Sequence, residues 1–318
     1  MKAVLSERKS NQLLAFLLIF LAVICLASCS SEKTNDNSSR YFLFDEAFSQ
    51  LFPVLTARIE KVVQAESAGQ SGPERGRISP IPSLKGSISN LISQWTQKGE
   101  PLTIIASPLA RKLILEDGRL QGSAALITPF GDVVYDYDAA YAKIAENLAG
   151  RLNSIQKKEK RQAVCGVLFQ ENFMRQASAL ARFEDVLKQK AGGASLIIKK
   201  VAIGADTVDT DSSFTAQFEE IRREKPDMVL IAVDHPELVQ RWAREPRQET
   251  EKLFLAVDAS SWGGFSFDTR LFNLTILGNE ALMADRVLQK ARISVPGQQA
   301  GGSLELVALP IRTTWFRK

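Results

Sequence analysis

Apolar positions alternate along this chain between two rhythms. Short, predominantly apolar runs at 102–106, 124–127, 164–169, 228–233, 253–257 and 274–277 read as buried strands. Strands are also predicted at 41–44, 195–203 and 304–309. Between them the apolar spacing becomes helical. Phe48, Leu51, Leu55, Ile59 and Val62 define a helix over 47–63, and Pro53 inside it moves its start towards Phe52. Ile88, Leu91, Ile92 and Trp95 define one that begins at Ser87, and Tyr141, Ile144, Leu148, Leu152 and Ile155 a long one. Further helices are predicted at 172–190, 212–224, 236–244 and 278–291, with Ser107-Pro108 as cap and first residue of another. The bases of 157–161 close the long helix, where cations suit the helix dipole.

Two stretches break the rhythm. Residues 66–85 are rich in Ser, Gly and Pro and read as loop, with a short strand near 78–81. Residues 128–138 are extended, aromatic and acidic, and would cross between two halves. Strands alternating with helices imply parallel sheets covered on both faces. The expected fold class is therefore α/β, with two doubly wound lobes joined by a hinge and the first lobe abbreviated. The boundaries expected are an N-terminal lobe over 41–130, a C-terminal lobe over 131–275, and a helix and return strand at the hinge over 276–318.

The first 28 residues are different. Lys2, Arg8 and Lys9 precede an apolar run from Leu13 to Leu26, about 14 residues where a spanning helix needs roughly 20. Charged head, apolar middle and small residues before a cleavage point describe a secretory signal peptide. Its ending, Leu26-Ala27-Ser28-Cys29, resembles a bacterial lipobox, which implies that Cys29 takes a diacylglyceryl group and opens the mature chain. Residues 30–40 are polar and without periodicity, so 29–40 reads as a flexible tether.

Charge then narrows the function classes. Removing residues 1–28, with three bases and one acid, brings the formal net charge from +4 to +2. That is too little to argue for nucleic acid, and no basic stripe interleaves with aromatics. Cys165 is the one cysteine left in the folded part, so stability rests on the core rather than on a disulfide. His235 is the single histidine, which excludes a zinc site built on two. Cys165 lies inside an apolar strand and reads as a buried thiol, and His235-Pro236-Glu237 lacks the cysteine pair of a deaminase. Asp209, Asp211, Ser213 and Glu220 match a calcium-loop spacing, but Phe214 stands where glycine is needed. An enzyme, a cofactor and a metal are not expected.

Three stretches resemble type I periplasmic solute-binding proteins, whose fold is shared with the sensor domains of lac-repressor-like regulators. Residues 227–234 (Asp-Met-Val-Leu-Ile-Ala-Val-Asp) are similar to the strand ending in an acidic residue at the cleft. Residues 252–258 (Lys-Leu-Phe-Leu-Ala-Val-Asp) are similar to the next, whose terminal aspartate often binds ligand hydroxyls in that family. Residues 306–314 resemble its return strand. The likeness runs from about Ser87 to Lys318. Asp45-Glu46-Ala47-Phe48 stands where the family's first strand carries a glycine-bearing loop, and neither Arg175 nor Arg182 falls where its second-lobe arginine would.

In open α/β sheets ligands sit beyond the carboxyl ends of the strands. That rule selects Asp45, Phe48, Ser107, Thr128, Phe130, Phe169, Asn172, Asp234, Asp258 and Trp262. Asp258 either receives two ligand hydroxyls, with Trp262 stacked on a ring face, or opens a turn. Asp234 either faces the cleft or caps the helix at Pro236. Tyr135 and Tyr137 read as hinge packing. The resemblance implies a membrane-anchored protein that captures a small polar ligand, of sugar or nucleoside class, for an ABC-type permease. The alternative is an envelope sensor or scaffold with a degenerate pocket that acts through a protein partner.

Overall fold

The computed structural model describes residues 39–67, 81–98, 102–170, 176–192, 196–203, 211–244, 253–294 and 304–314. Cys29, residues 30–38 of the tether and Asn172 lie outside them, and the tether expected to reach residue 40 is corrected at Ser39 and Arg40, which open the first strand.

In the first lobe, β1 (Ser39–Leu43), β2 (Leu102–Ala106) and β3 (Ala124–Ile127) form a three-stranded parallel sheet in that order. The side-chain period of two sorts its residues. Phe42, Ile105 and Ile127 face one way, and Tyr41, Leu43, Ile104 and Ala106 the other. The second face is covered by α3 (Ile81–Lys98), through Ile88, Ile92 and Trp95, and by α4 (Pro108–Asp117), through Ala110 and Ile114. The first is covered by α2 (Pro53–Ser67) with Leu55, Ile59 and Val63, and by a helix from the far end of the chain, α9 (Glu280–Ile293), with Met283, Ala284 and Val287.

Pro53 splits the expected first helix in two. A short α1 (Glu46–Leu51) ends before it, and α2 starts on it, where a missing N–H costs nothing. The amides of Val54 and Leu55 both donate to the Glu280 carboxylate at 2.9 Å, so α9 caps α2. Arg58 forks onto Asp285 at 2.6 and 2.9 Å beside it. The helix start expected at Ser87 is corrected to Ile81, while residues 78–80 of the strand expected near 78–81 lie outside the described residues. Ile81 is already helical, because Pro82 falls in a first turn where proline is tolerated.

The second lobe holds α5 (Tyr137–Glu159), β5 (Ala163–Gln170), α6 (Gln176–Lys190), β6 (Leu196–Ile203), α7 (Asp211–Arg223), β7 (Met228–Ala232), α8 (Pro236–Arg244), β8 (Phe254–Ala259) and β9 (Leu274–Leu277). Its sheet runs β11-β9-β8-β7-β5-β6, parallel except for β11 (Ile311–Thr313). Helices α5 and α6 pack Tyr141, Leu148, Leu152, Phe183 and Leu187 on one face. Helices α7 and α8 pack Phe218, Ile221, Val239 and Trp242 on the other.

The chain crosses between the lobes three times: before α5, from β9 to α9, and back from α9 through β10 (Glu305–Val307) to β11. The first and third crossings pair as β4 (Val133–Tyr135) and β10, parallel. The strand expected over 304–309 is present as β10, which serves the crossing. Beyond Pro310 a separate, unexpected strand, Ile311-Arg312-Thr313, adds an antiparallel edge to β9.

Candidate functional site

The carboxyl ends of β1–β3 face those of β5, β7 and β8, and most of the predicted site residues stand on this edge. On the first-lobe side they bind each other. Asp45 caps α1 by accepting from the Phe48 amide at 2.9 Å, and its other oxygen accepts from the Ser107 hydroxyl at 2.6 Å. Ser107 in turn caps α4. Thr128 accepts from Arg111 at 3.3 Å, and its amide donates to Asp132. All three of Asp45, Ser107 and Thr128 are buried.

On the second-lobe side, Asp258 is buried to 2 % exposure. One oxygen accepts from the Tyr141 hydroxyl at 2.7 Å. The other accepts from the Ser260 amide and hydroxyl at 3.0 and 2.6 Å. Trp262 is buried, and its indole N–H donates to the Val233 carbonyl at 3.1 Å, so the ring closes the end of β7. Phe169 is half-buried against the core. Asp234 is exposed. Its amide donates to Gln170 Oε1 at 3.2 Å and its carboxylate accepts from Ser261 at 3.0 Å, with His235 beside it. Gln170, Asp234 and Ser261 thus form a polar rim.

The space between the edges is filled by rings. Phe44 stacks on Phe48 at 5.5 Å, Phe48 meets Phe52 at 5.2 Å, Phe52 meets Phe130 at 4.6 Å, Phe130 meets Tyr135 at 5.5 Å, and Tyr135 meets Tyr137 at 6.2 Å. One hydrophobic core runs without interruption from Phe42 and Phe48 of the first lobe to Cys165 and Leu230 of the second. Three hydrogen bonds lie over this fill, the first directly between the lobes, the second between two crossing segments and the third within the second lobe. The Gly264 amide donates to the Leu51 carbonyl at 2.9 Å, the Asn279 amide to Tyr135 Oη at 3.0 Å, and the Ser260 hydroxyl to Tyr137 Oη at 3.2 Å.

Burial moves the titrations of the site. Desolvation holds the Asp258 carboxyl above the usual carboxylate range, against the lowering by its Ser260 and Tyr141 bonds. The Asp234 carboxyl is raised for the same reason, opposed by Ser261. Cys165, inside β5, is pushed up to about 12 by desolvation and stays a thiol, which suits packing rather than nucleophilic work. Among the described residues no group of three or more His, Cys, Asp or Glu could hold a metal ion.

The raised Asp258 fixes the sign of a pH effect. The native state holds this proton more tightly than the unfolded chain. Stability from this group is therefore fullest in acid, and it declines as pH rises from about 3.9, the unfolded value, through the raised native one. Asp258→Asn removes the titration and keeps the shape, since the Tyr141 hydroxyl can accept from an amide N–H. Denaturant melts of this variant should show a flatter stability–pH profile above about pH 4. A profile superimposed on that of the wild type would contradict the assignment.

Tyr141, Ser260, Ser261, Gln170 and Gly263 belong to this site and were not singled out from sequence. Tyr141 counts as one more apolar position of α5 until its hydroxyl is seen on Asp258, while the Gly263-Gly264 pair after Trp262 was a visible sign of close backbone approach.

This architecture is the type I periplasmic-binding-protein fold: two α/β lobes with parallel sheets, joined by crossing segments. Among solved structures the chain resembles an ABC transporter solute-binding protein from Burkholderia graminis, in complex with D-arabinose. The TM-score is 0.53 at 11% identity, over 86% of this chain and 94% of that one. It resembles an ABC transporter system solute-binding protein from Aeropyrum pernix K1 with the same TM-score, at 10% identity over 86% of this chain and 76% of that one. No family profile matches the sequence, and no curated protein matches it.

Proposed function

We propose that this protein is an exported lipoprotein, held to a membrane surface through a lipid on Cys29, whose two-lobed domain serves as a scaffold or sensor subunit for a protein partner. The observation that supports this reading best is the filled cleft. Phe48, Phe52, Phe130 and Tyr135 occupy the space a solute would need, and Asp45 and Asp258 spend their oxygens on Ser107, Tyr141 and Ser260. Neither a cofactor nor nucleic acid enters this reading, and it assigns no catalysis. One acyl chain anchors only marginally, so a triacylated Cys29 is the form that would hold the domain in place.

The second reading is capture of a small polar ligand, of sugar or nucleoside class, for an ABC-type permease. The exposed Gln170–Asp234–Ser261 rim favours it.

A thermal-shift screen of the chain from Ser31 onward, against sugars, nucleosides, amino acids and polyols, separates the two. The scaffold reading expects no shift from any of them. A ligand at about 100 times its dissociation constant would add about 2.7 kcal/mol of stability, several degrees in Tm. A hit that disappears in Asp234→Ala would replace the scaffold reading with the capture reading.

A further inference from the structure

At the opposite end of the second-lobe sheet from the cleft, a groove of about 560 Å³ opens between α5 and the amino ends of β8 and β9. Arg151, Ile155 and Lys158 come from one face of the helix, and Phe254 and Leu274 are the first residues of the two strands. The volume falls in the range of small-molecule pockets, which combine apolar walls with a few placed polar groups.

The charge here is poised. The Arg151 guanidinium lies over the Phe254 ring, 4.8 Å from its centroid. A stacked guanidinium is held in place, yet keeps its in-plane N–H fork for a bidentate partner. Among the described residues no carboxylate pairs with Arg151 or with Lys158, which lies about 10 Å further along the helix. Glu159, the one acid on the groove, accepts from Arg161 at 2.7 Å. The remaining field is positive, beside an apolar floor.

We propose that this groove is a second binding site, for a small organic acid with an apolar body. The carboxylate would sit on the Arg151 fork, with the Lys158 charge nearby, and the body on Phe254, Ile155 and Leu274. The site is independent of the cleft and does not rest on the scaffold reading.

The test is a titration of the full chain with 3-phenylpropionate, followed by calorimetry and by NMR of the probe, with 3-phenylpropionamide as the neutral control. Saturable binding is expected at millimolar acid, weakened at least about tenfold in the amide and in Arg151→Gln, since hydrogen bonds to charged groups are the stronger ones. Phe254→Leu should weaken it as well, by releasing the stacked arginine. Asp234→Asn, at the cleft rim, should leave it unchanged. Arg151 is exposed, so Arg151→Gln is expected to fold, and the acid–amide comparison on the wild type does not depend on any variant. Absence of saturable binding, equal binding of acid and amide, full retention in Arg151→Gln, or loss in Asp234→Asn would each overturn the proposal.

Discussion

Gly263→Ala should push the two lobes apart and cost at least about 3 kcal/mol of stability. Gly263 has φ = +52°, a region that side chains adopt at a cost of about 1–2 kcal/mol. A Cβ there would lie 1.8 Å from the Leu51 carbonyl oxygen and 2.9 Å from its carbon, on the backbone of the other lobe. Neither atom belongs to a flexible side chain, so relief requires the two backbones to separate. The Gly264–Leu51 hydrogen bond would then be lost, at about 1 kcal/mol more. Gly264→Ala is the matched control. Its Cβ would come within 3.2–3.4 Å of Pro53 and of the Gln50 carbonyl, close enough to need only a small shift. Denaturant melts and solution X-ray scattering should therefore distinguish the neighbours, with a lowered midpoint and a larger radius of gyration for Gly263→Ala alone. Unchanged values for that variant would mean that the lobes do not meet at this contact.

The second large effect is expected at Phe130. Its ring touches Phe52, Phe48 and Tyr135, and its backbone sits at φ = +61°. Holding a bulky side chain in the left-handed region takes surroundings that over-determine it. Phe130→Ala removes the ring and keeps the strain, and a half-buried aromatic lost from such a cluster should cost about 2–4 kcal/mol. Phe130→Gly makes the same void and relieves the backbone. It should be the more stable of the two by about 1 kcal/mol, a reversal of the usual order of alanine and glycine. The void would be apolar and of ring size, so benzene should raise the Tm of both variants and leave the wild type unmoved. If alanine proves the better replacement, the left-handed conformation at 130 is not the native one.

The rhythm of the sheet was legible in the sequence because it is local. The strand residues 124–127 are uniformly apolar, those of 102–106 are apolar apart from Thr103, both stretches are bounded by caps and turns, and α8 needs only its own proline and apolar spacing. What stayed hidden was made by distant partners. Pro53 looked like a defect in a helix until Glu280 is seen to supply acceptors for the amides that follow it. Pro310 looked like the end of a strand, whereas it separates two short ones that belong to different sheets. The candidate site followed the same division. Strand ends were found by pattern, so Asp45, Ser107, Asp234 and Asp258 were named. Whether their polar atoms point at one another or into open space depends on Tyr141 and Ser260, whose roles no local spacing reveals.

The placement of α9 sets an order of events in the making of this protein. The sheet of β1–β3 and the amides that open α2 are completed by residues 280–293, which leave the ribosome after β5 to β9 of the second lobe. A chain emerging from its amino end can therefore close the second sheet, from β5 to β9, while Leu55, Ile59 and Val63 still lack their covering helix. Contacts of such sequence separation are slow to form. The lobe synthesised first thus stays open while five parallel strands of the second are made, and until α9 arrives its uncovered apolar face is the part of the nascent chain most open to aggregation or to capture by a chaperone.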